Sequence, residues 1–372
     1  MGDFSLFKKQ IEKDGDIKLT NAGLLKNPKP NKTGSYALNH ALSVPCPEGL
    51  IVEIYGEEGT RKTTLALEIA GQALLAGKRV LYMNMERNLT RSLLQTIRTL
   101  RPFLDKIVDQ IETGQSDEQC PFLLGTTFTG EKALQSMRMF AELSQNGVAI
   151  LDSIDAAQPG AVLSGEIGEQ KMGNHAKLMS DAMHKLIATA SDNNVTLIFI
   201  NQVRDKLTMY GDPVTTPGGK AVKFYASQRI KLLKPRKEDN VADDDGKPLY
   251  SKIRFDVVKN KLAPDGISGD FPVIVNHGIF RELELIKLCC DFGILEMGGK
   301  GGKQVYLPIF NKDTNDFLIE NDERKTTCMS QLNAAKRLLM DIDLMQLLDS
   351  QLLKFFTEGT NQINTNEISD TE

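Results

Sequence analysis

The chain has no tryptophan, five cysteines and four histidines, and aromatic residues make up 6% of it. The cysteines, Cys46, Cys120, Cys289, Cys290 and Cys328, are odd in number and show no CxxC spacing. A disulfide framework or a cysteine zinc site is therefore not expected, and a reducing compartment is. No run of 18 apolar residues occurs, which argues against a membrane span. The opening residues, MGDFSLFKKQIEKDGD, lack the apolar stretch of a secretory signal, so a cytoplasmic location is expected. There is no internal repeat. Basic excess is also missing: 45 Lys and Arg face 49 Asp and Glu, a net charge of −4 that at first sight speaks against a nucleic-acid partner.

That sum hides an uneven distribution. Four acids (Glu358, Glu367, Asp370, Glu372) and no Lys or Arg lie between Thr357 and Glu372, and without them the rest is neutral. Between Val203 and Lys237 nine basic residues face only Asp205 and Asp212, leaving +7. A basic working surface and a competing acidic tail are both compatible with the total.

What is present fits a globular protein of two or three domains: 372 residues, 41% apolar and 25% charged. Asp3–Lys13 has the pattern of a short amphipathic helix, and residues 26–34 (KNPKPNKTG) read as a linker. Apolar runs at Ile51–Tyr55, Arg79–Met83, Val148–Leu151 and Thr196–Ile200 predict strands. Helical patterns at Lys62–Ala76 and Met172–Ala190 fall between them. Such alternation predicts a parallel sheet covered on both faces. Gln228–Leu233, Lys252–Val258 and Phe271–Val275 lack intervening helices, and the first two suggest a hairpin that extends the sheet antiparallel. Beyond about residue 276, Arg281–Asp291 and Ser330–Phe355 look helical.

The segment Gly56, Glu57, Glu58, Gly59, Thr60, Arg61, Lys62, Thr63, Thr64 lies between a strand and a helix. It matches a phosphate loop except that Arg61 stands at the second glycine. Backbone N–H groups and the helix N-terminus are suited to cradle a polyphosphate, Lys62 to reach its terminal phosphates, and the Thr63 hydroxyl to hold Mg²⁺. Arg61 is expected to exclude the left-handed backbone that glycine allows. It either points outward, adds a cation near the phosphates, or spoils the site. Asp152 ends a strand and is a second candidate for the Mg²⁺ shell. Glu86 follows the strand Arg79–Met83, where it can polarise a water for attack on a γ-phosphate.

From about Thr33 to Phe280 the chain resembles the RecA family of homologous-recombination ATPases. The landmarks run in order: TGSYALNHAL, IVEIYG, the phosphate loop, MNMERNL, LDS, GEIGEQKMG, LIFINQVR, YGDPVTTPGGKAVKFYAS and VVKNKLAP. The resemblance implies an α/β fold: a RecA-type P-loop ATPase core with a mostly parallel central sheet, a short N-terminal segment and a small α/β C-terminal domain. The divisions expected are 1–32, 33–276, 277–356 and a disordered acidic tail at 357–372. By the same resemblance Lys62, Thr63 and Asp152 look like the ATP and Mg²⁺ residues, Glu86 the general base and Gln202 the γ-phosphate sensor. Lys259 and Lys261 look like the pair that reaches the ATP of a neighbouring subunit, and Lys220–Phe224 like the subunit-interface segment.

Two DNA-binding loops would correspond to Gly165–Gly173 and Val203–Gly219. Met172 and Tyr210 are expected to touch bases, although Met172 also continues a helical methionine stripe. Lys171, Lys177, Arg204, Lys206, Lys220 and the N–H groups of Gly218 and Gly219 are expected to meet phosphates, with Gly173 at the first loop's end. Lys300 and Lys303 are weaker candidates for duplex capture.

The implied activity is an ATP-dependent strand exchange by a helical filament on single-stranded DNA, with homologous duplex as second substrate. The short N-terminus and divergent tail look like a phage-encoded member. Two departures stand out: Arg61 puts the hydrolysis rate in question, and Thr90, in place of the family's adenine-side acid, points to relaxed nucleotide preference. The alternatives are a filament-forming single-strand binder with little hydrolysis and a hexameric helicase motor.

Overall fold

The computed structural model describes residues 27–113, 120–164, 173–205, 214–242, 246–274, 277–299, 304–311, 313–314, 316–320, 323–324 and 326–366, at 110–112, 204–205, 214–215, 320, 323–324 and from 355 onward as backbone only. The expected helix Asp3–Lys13 and the loop residues Lys171, Met172, Lys206, Tyr210, Lys300 and Lys303 lie outside them.

Six parallel strands form the centre. They are β1 (Ile51–Gly56), β2 (Val80–Asn84), β3 (Phe122–Gly125), β4 (Val148–Asp152), β5 (Thr196–Gln202) and β6 (Gln228–Leu233), in the order β3-β2-β4-β5-β1-β6. Beyond β6 the sheet continues antiparallel through β7 (Pro248–Asn260), β8 (Ser268–Ile274) and β9 (Gly278–Ile279). The predicted hairpin is present, but its first strand is parallel to β1, so the antiparallel extension starts one strand later than expected. β3 was not predicted; it has four residues at the sheet's edge, three of them half-buried, too short to show a period.

The central strands are buried on both faces, which is why they read as continuous apolar runs. One face, with Val52, Ile54, Ile198 and Ile230, packs against α2 (Lys62–Leu75). That helix carries the expected Leu65, Ile69, Ala73 stripe, and Ala66, Ala70 and Gly71 let it bury nearly all round. The other face, with Leu151, Leu197 and Phe199, meets α3 (Gly130–Leu143), α4 (Asn174–Asp192) and α5 (Gly219–Tyr225). On α4 the pattern Met179, Met183, Leu186 and Ala190 faces inward.

A third core joins α6 (Arg281–Asp291), β10 (Gln304–Pro308), β11 (Thr326–Ser330), α7 (Gln331–Leu338) and α8 (Ile342–Asn366). It is tied to the sheet by polar clasps. Glu284 accepts the Ser35 hydroxyl at 2.6 Å and the Ala37 N–H at 3.3 Å, at the start of α1 (Tyr36–Leu42). Arg98 grips both oxygens of Glu282 at 2.8 and 2.9 Å. The single helix expected over Ser330–Phe355 divides, because the Asp341 carboxylate accepts the Leu344 N–H at 3.1 Å and starts a new helix. With Leu344, Leu348 and Leu352 anchored, α8 runs on to Asn366, so residues 357–366 are helical where a disordered tail was expected. Once a helix is nucleated, adding a residue costs little.

Candidate nucleotide-binding site

The site forms where the carboxyl ends of β1, β2, β4 and β5 converge. Register places Gly56 beside Gln202 and Asn84 beside Asp152. Ligands of open parallel sheets sit at this edge. Gly56 is required sterically, since a Cβ there would stand 2.2 Å from the Leu232 carbonyl. Gly59 turns the loop at φ +78°. Arg61 then takes φ 67°, ψ 28°, directly before α2. This corrects the expectation that arginine is barred from the left-handed region. The cost for an L-residue is about 1–2 kcal/mol, small enough for the surrounding loop and helix to absorb. The Arg61 side chain is exposed and lines the cleft.

Lys62 folds back over the loop. Its ammonium donates to the Gly56 carbonyl at 3.0 Å and the Glu57 carbonyl at 2.6 Å. Burial pulls its pKa below the ordinary lysine value, while the carboxylates of Glu86 and Asp152 oppose that. The Thr63 hydroxyl donates to Asp152 Oδ2 at 2.8 Å, and the buried Tyr82 hydroxyl donates to the same oxygen at 2.7 Å. Burial raises the Asp152 carboxyl, and these two donors counter it. A hydroxyl beside a single carboxylate is a hard-oxygen pair of the kind that holds Mg²⁺ together with substrate phosphates and water. Among the described residues no cluster of three His, Cys, Asp or Glu suggests an all-protein metal cage.

Glu86 lies on the far wall. Its Oε1 accepts from Ser153 Oγ at 2.6 Å and from Gln202 Nε2 at 3.2 Å, and its Oε2 from Asn88 Nδ2 at 3.1 Å. Glu58, Gly59, Arg61, Lys62, Thr63, Thr64, Glu86, Asp152 and Gln202 thus share one open cleft of about 280 Å³. Ser153, Asn88 and Tyr82 were missed from sequence. Ser153 directly follows the strand-end Asp152, and that adjacency was the available signal. Thr90 caps the short helix Arg91–Thr96, accepting from the Leu93 N–H at 3.2 Å.

Two predicted groups lie apart. Lys259 pairs in register with Arg229, level with Glu53 of β1, and Lys261 donates its backbone N–H to Ser227, before β6 begins. Both therefore sit toward the amino edge of the parallel strands, away from the phosphate loop. The Lys259 ammonium caps the end of α5 on the Lys223 and Phe224 carbonyls at 2.8 and 3.0 Å. Burial lowers its pKa, and the nearby Lys261 and Arg229 add to that. Phe224 is 72% exposed rather than core.

The described DNA-loop residues form a second group. Gly173 and Gly218 are the left-handed caps of α4 and α5, and a Cβ on Gly219 would come within 3.0 Å of Ala176. The ends of both expected loops thus meet. Lys177 and Lys220 are exposed nearby, and Arg204 pairs by its backbone with Thr215.

A strand–phosphate-loop–helix unit at the carboxyl edge of a mostly parallel sheet defines a P-loop protein of the α/β class. The RecA N-terminal domain family matches residues 4–280. The chain is 37% identical to Protein RecA of Thermus thermophilus, over 72% of this chain and 73% of that one. It is 34% identical to Protein RecA of Legionella pneumophila (strain Corby), over 79% of each. The match to the crystal structure of the RadB recombinase spans 67% of this chain and 98% of that one, at 20% identity and a TM-score of 0.47. The chain belongs to the RecA family, and so to the DNA recombinases and ATPases.

Proposed function

We propose that the chain assembles head-to-tail into a filament on single-stranded DNA and couples ATP hydrolysis to strand exchange with a homologous duplex. The observation that carries this reading is the placement of Lys259 and Lys261 toward the edge opposite the phosphate loop, beside an exposed Phe224. Lysines so placed serve the loop of a second copy.

In this reading the loop N–H groups and Lys62 hold the β- and γ-phosphates, and Thr63 and Asp152 hold Mg²⁺. Mg²⁺ held there would supply neutralisation of the phosphate charge. Glu86 takes a proton from the attacking water as the water oxygen bonds to the γ-phosphorus. The bond to the bridging oxygen breaks and ADP leaves. Gln202 exchanges Glu86 for the γ-phosphate and passes the nucleotide state into the second loop. Gly173, Lys177, Arg204, Gly218, Gly219 and Lys220, with Lys171, Met172, Lys206 and Tyr210, carry the DNA. Such phosphate and stacking contacts are independent of sequence, so homology is tested by base pairing.

We read 33–276 as the ATPase core and 277–356 as the C-terminal domain, which the separate third core supports. The setting proposed is the cytoplasm of a bacterial or phage-infected cell. The bacterial relatives support it, and among the described residues no helix is long and apolar enough to cross a membrane.

The test is electron microscopy with single-stranded DNA, with and without a non-hydrolysable ATP analogue, alongside DNA-stimulated phosphate release. Filaments and release are expected. Filaments with no release select the binding-only reading. Unwinding of a forked duplex without a homologous strand selects the helicase.

A further inference from the structure

Glu53 lies in the middle of β1, fully buried, in a strand otherwise made of Ile, Val, Tyr and Gly. A carboxylate in such a place is costly unless each oxygen is paired. Both are. Oε1 accepts from Asn201 Nδ2 at 2.9 Å and Oε2 from Arg229 Nε at 2.5 Å. The Arg229 guanidinium also lies 4.6 Å over the Tyr55 ring.

The Asn201 amide is engaged at both its nitrogen and its oxygen. Nδ2 also donates to the Pro217 carbonyl at 3.1 Å, and Oδ1 accepts the Gln202 N–H at 3.0 Å. One side chain therefore clips the residue entering the second loop to the residue leaving it, and Glu53 holds that clip. Through its other oxygen Glu53 holds Arg229, the strand partner of Lys259. Phosphate chemistry does not require Glu53, which does not line the cleft.

We propose that Glu53 is a positioning residue that makes the root of the second loop, the Gln202 backbone and the Arg229–Lys259 pair move as one unit. It would thereby couple nucleotide state to DNA affinity. This rests on the recombinase reading above. The chemistry of one substitution exposes the role. In Glu53→Gln one acceptor and one donor face two donors, so either Arg229 or Asn201 loses its partner. If the Asn201 amide turns to suit, its Nδ2 faces the Gln202 N–H and the clip opens.

The test uses the full chain, a fluorescent non-hydrolysable ATP analogue and oligo-dT. Two quantities are read: the dissociation constant of the analogue, and the ratio of oligo-dT affinities with and without it. In Glu53→Gln the analogue is expected to bind within about threefold of wild type while the ratio falls about tenfold or more. The pair Glu53→Met with Arg229→Met leaves no unpaired buried charge and takes away the acceptor that holds Asn201, so it gives the same readout if the single variant does not fold. A wild-type ratio in either folded variant overturns the role of Glu53. Loss of analogue affinity in step with the ratio overturns it too, since Glu53 would then serve only the fold of the phosphate loop. A wild-type protein whose DNA affinity ignores the analogue overturns the recombinase reading, and this inference with it.

Discussion

Gln202 donates its amide to Glu86 at 3.2 Å, on the same carboxylate oxygen that takes the Ser153 hydroxyl at 2.6 Å. In the proposed reaction, sensor and base would thus hold each other across the cleft, and a γ-phosphate would have to compete for both. Glu86→Gln is expected to bind ATP normally and to slow hydrolysis by about 10²–10⁴-fold, the usual worth of a general base. Ser153→Ala should cost about tenfold, because it removes one of three donors and leaves the base in place. Single-turnover phosphate release with bound DNA measures both. Equal rates in wild type and Glu86→Gln would remove Glu86 from the chemistry.

The separation of the two edges gives a complementation test. Lys62→Ala protein, and protein carrying Lys259→Ala with Lys261→Ala, should each be inactive alone. Mixed together they place intact loops beside intact lysine pairs, and a sizeable share of the activity should return. No recovery on mixing would show that the lysines serve their own loop or none. Phe224→Ala should leave thermal stability within about 0.5 kcal/mol, as expected for an exposed side chain, yet reduce assembly seen by light scattering.

Arg61→Gly relieves a left-handed arginine, so the folded state gains about 1–2 kcal/mol locally, less the entropy that glycine adds to the unfolded chain. A net change between zero and about 1 kcal/mol toward stability is expected from chemical denaturation. A clear loss would mean that the arginine side chain makes a contact worth more than its strain.

Glu284 should contribute a pH dependence of its own. Burial pushes its carboxyl from 4.5 up to about 8. Between those values the folded chain holds a proton that the unfolded chain has released. Stability therefore falls as pH rises through this window and levels off above about 8. Glu284→Gln keeps the shape and cannot ionise, so its urea midpoint should decline less than that of the wild type over this window. Parallel midpoints for wild type and variant from pH 5 to 9 would dismiss the assignment.

Much of this was legible in the sequence, for physical reasons. Strands buried on both faces appear as apolar runs, and a phosphate loop needs its glycine, lysine and threonine at fixed spacing. Asp152 and Gln202 end their strands and Glu86 follows one by two residues, so the sheet brings them together. Less legible was whatever depended on cross-strand partners. Glu53 stands out only as a lone acid in IVEIYG, and nothing in the chain order announces Asn201 and Arg229 as its partners. The backbone of Arg61 is not legible in the sequence, because the loop that holds it overrides the steric preference of a single residue.

The opposition of phosphate loop and lysine pair also bears on how an assembly grows. A closed pair of copies facing each other through like surfaces cannot satisfy both edges, whereas a head-to-tail stack satisfies every junction. Such a stack has unlike ends. One presents a phosphate loop without lysines from a neighbour, and the other presents lysines without a loop. In the proposed filament a nucleotide site would be complete only at interior junctions, so addition and loss of subunits should differ between the two ends.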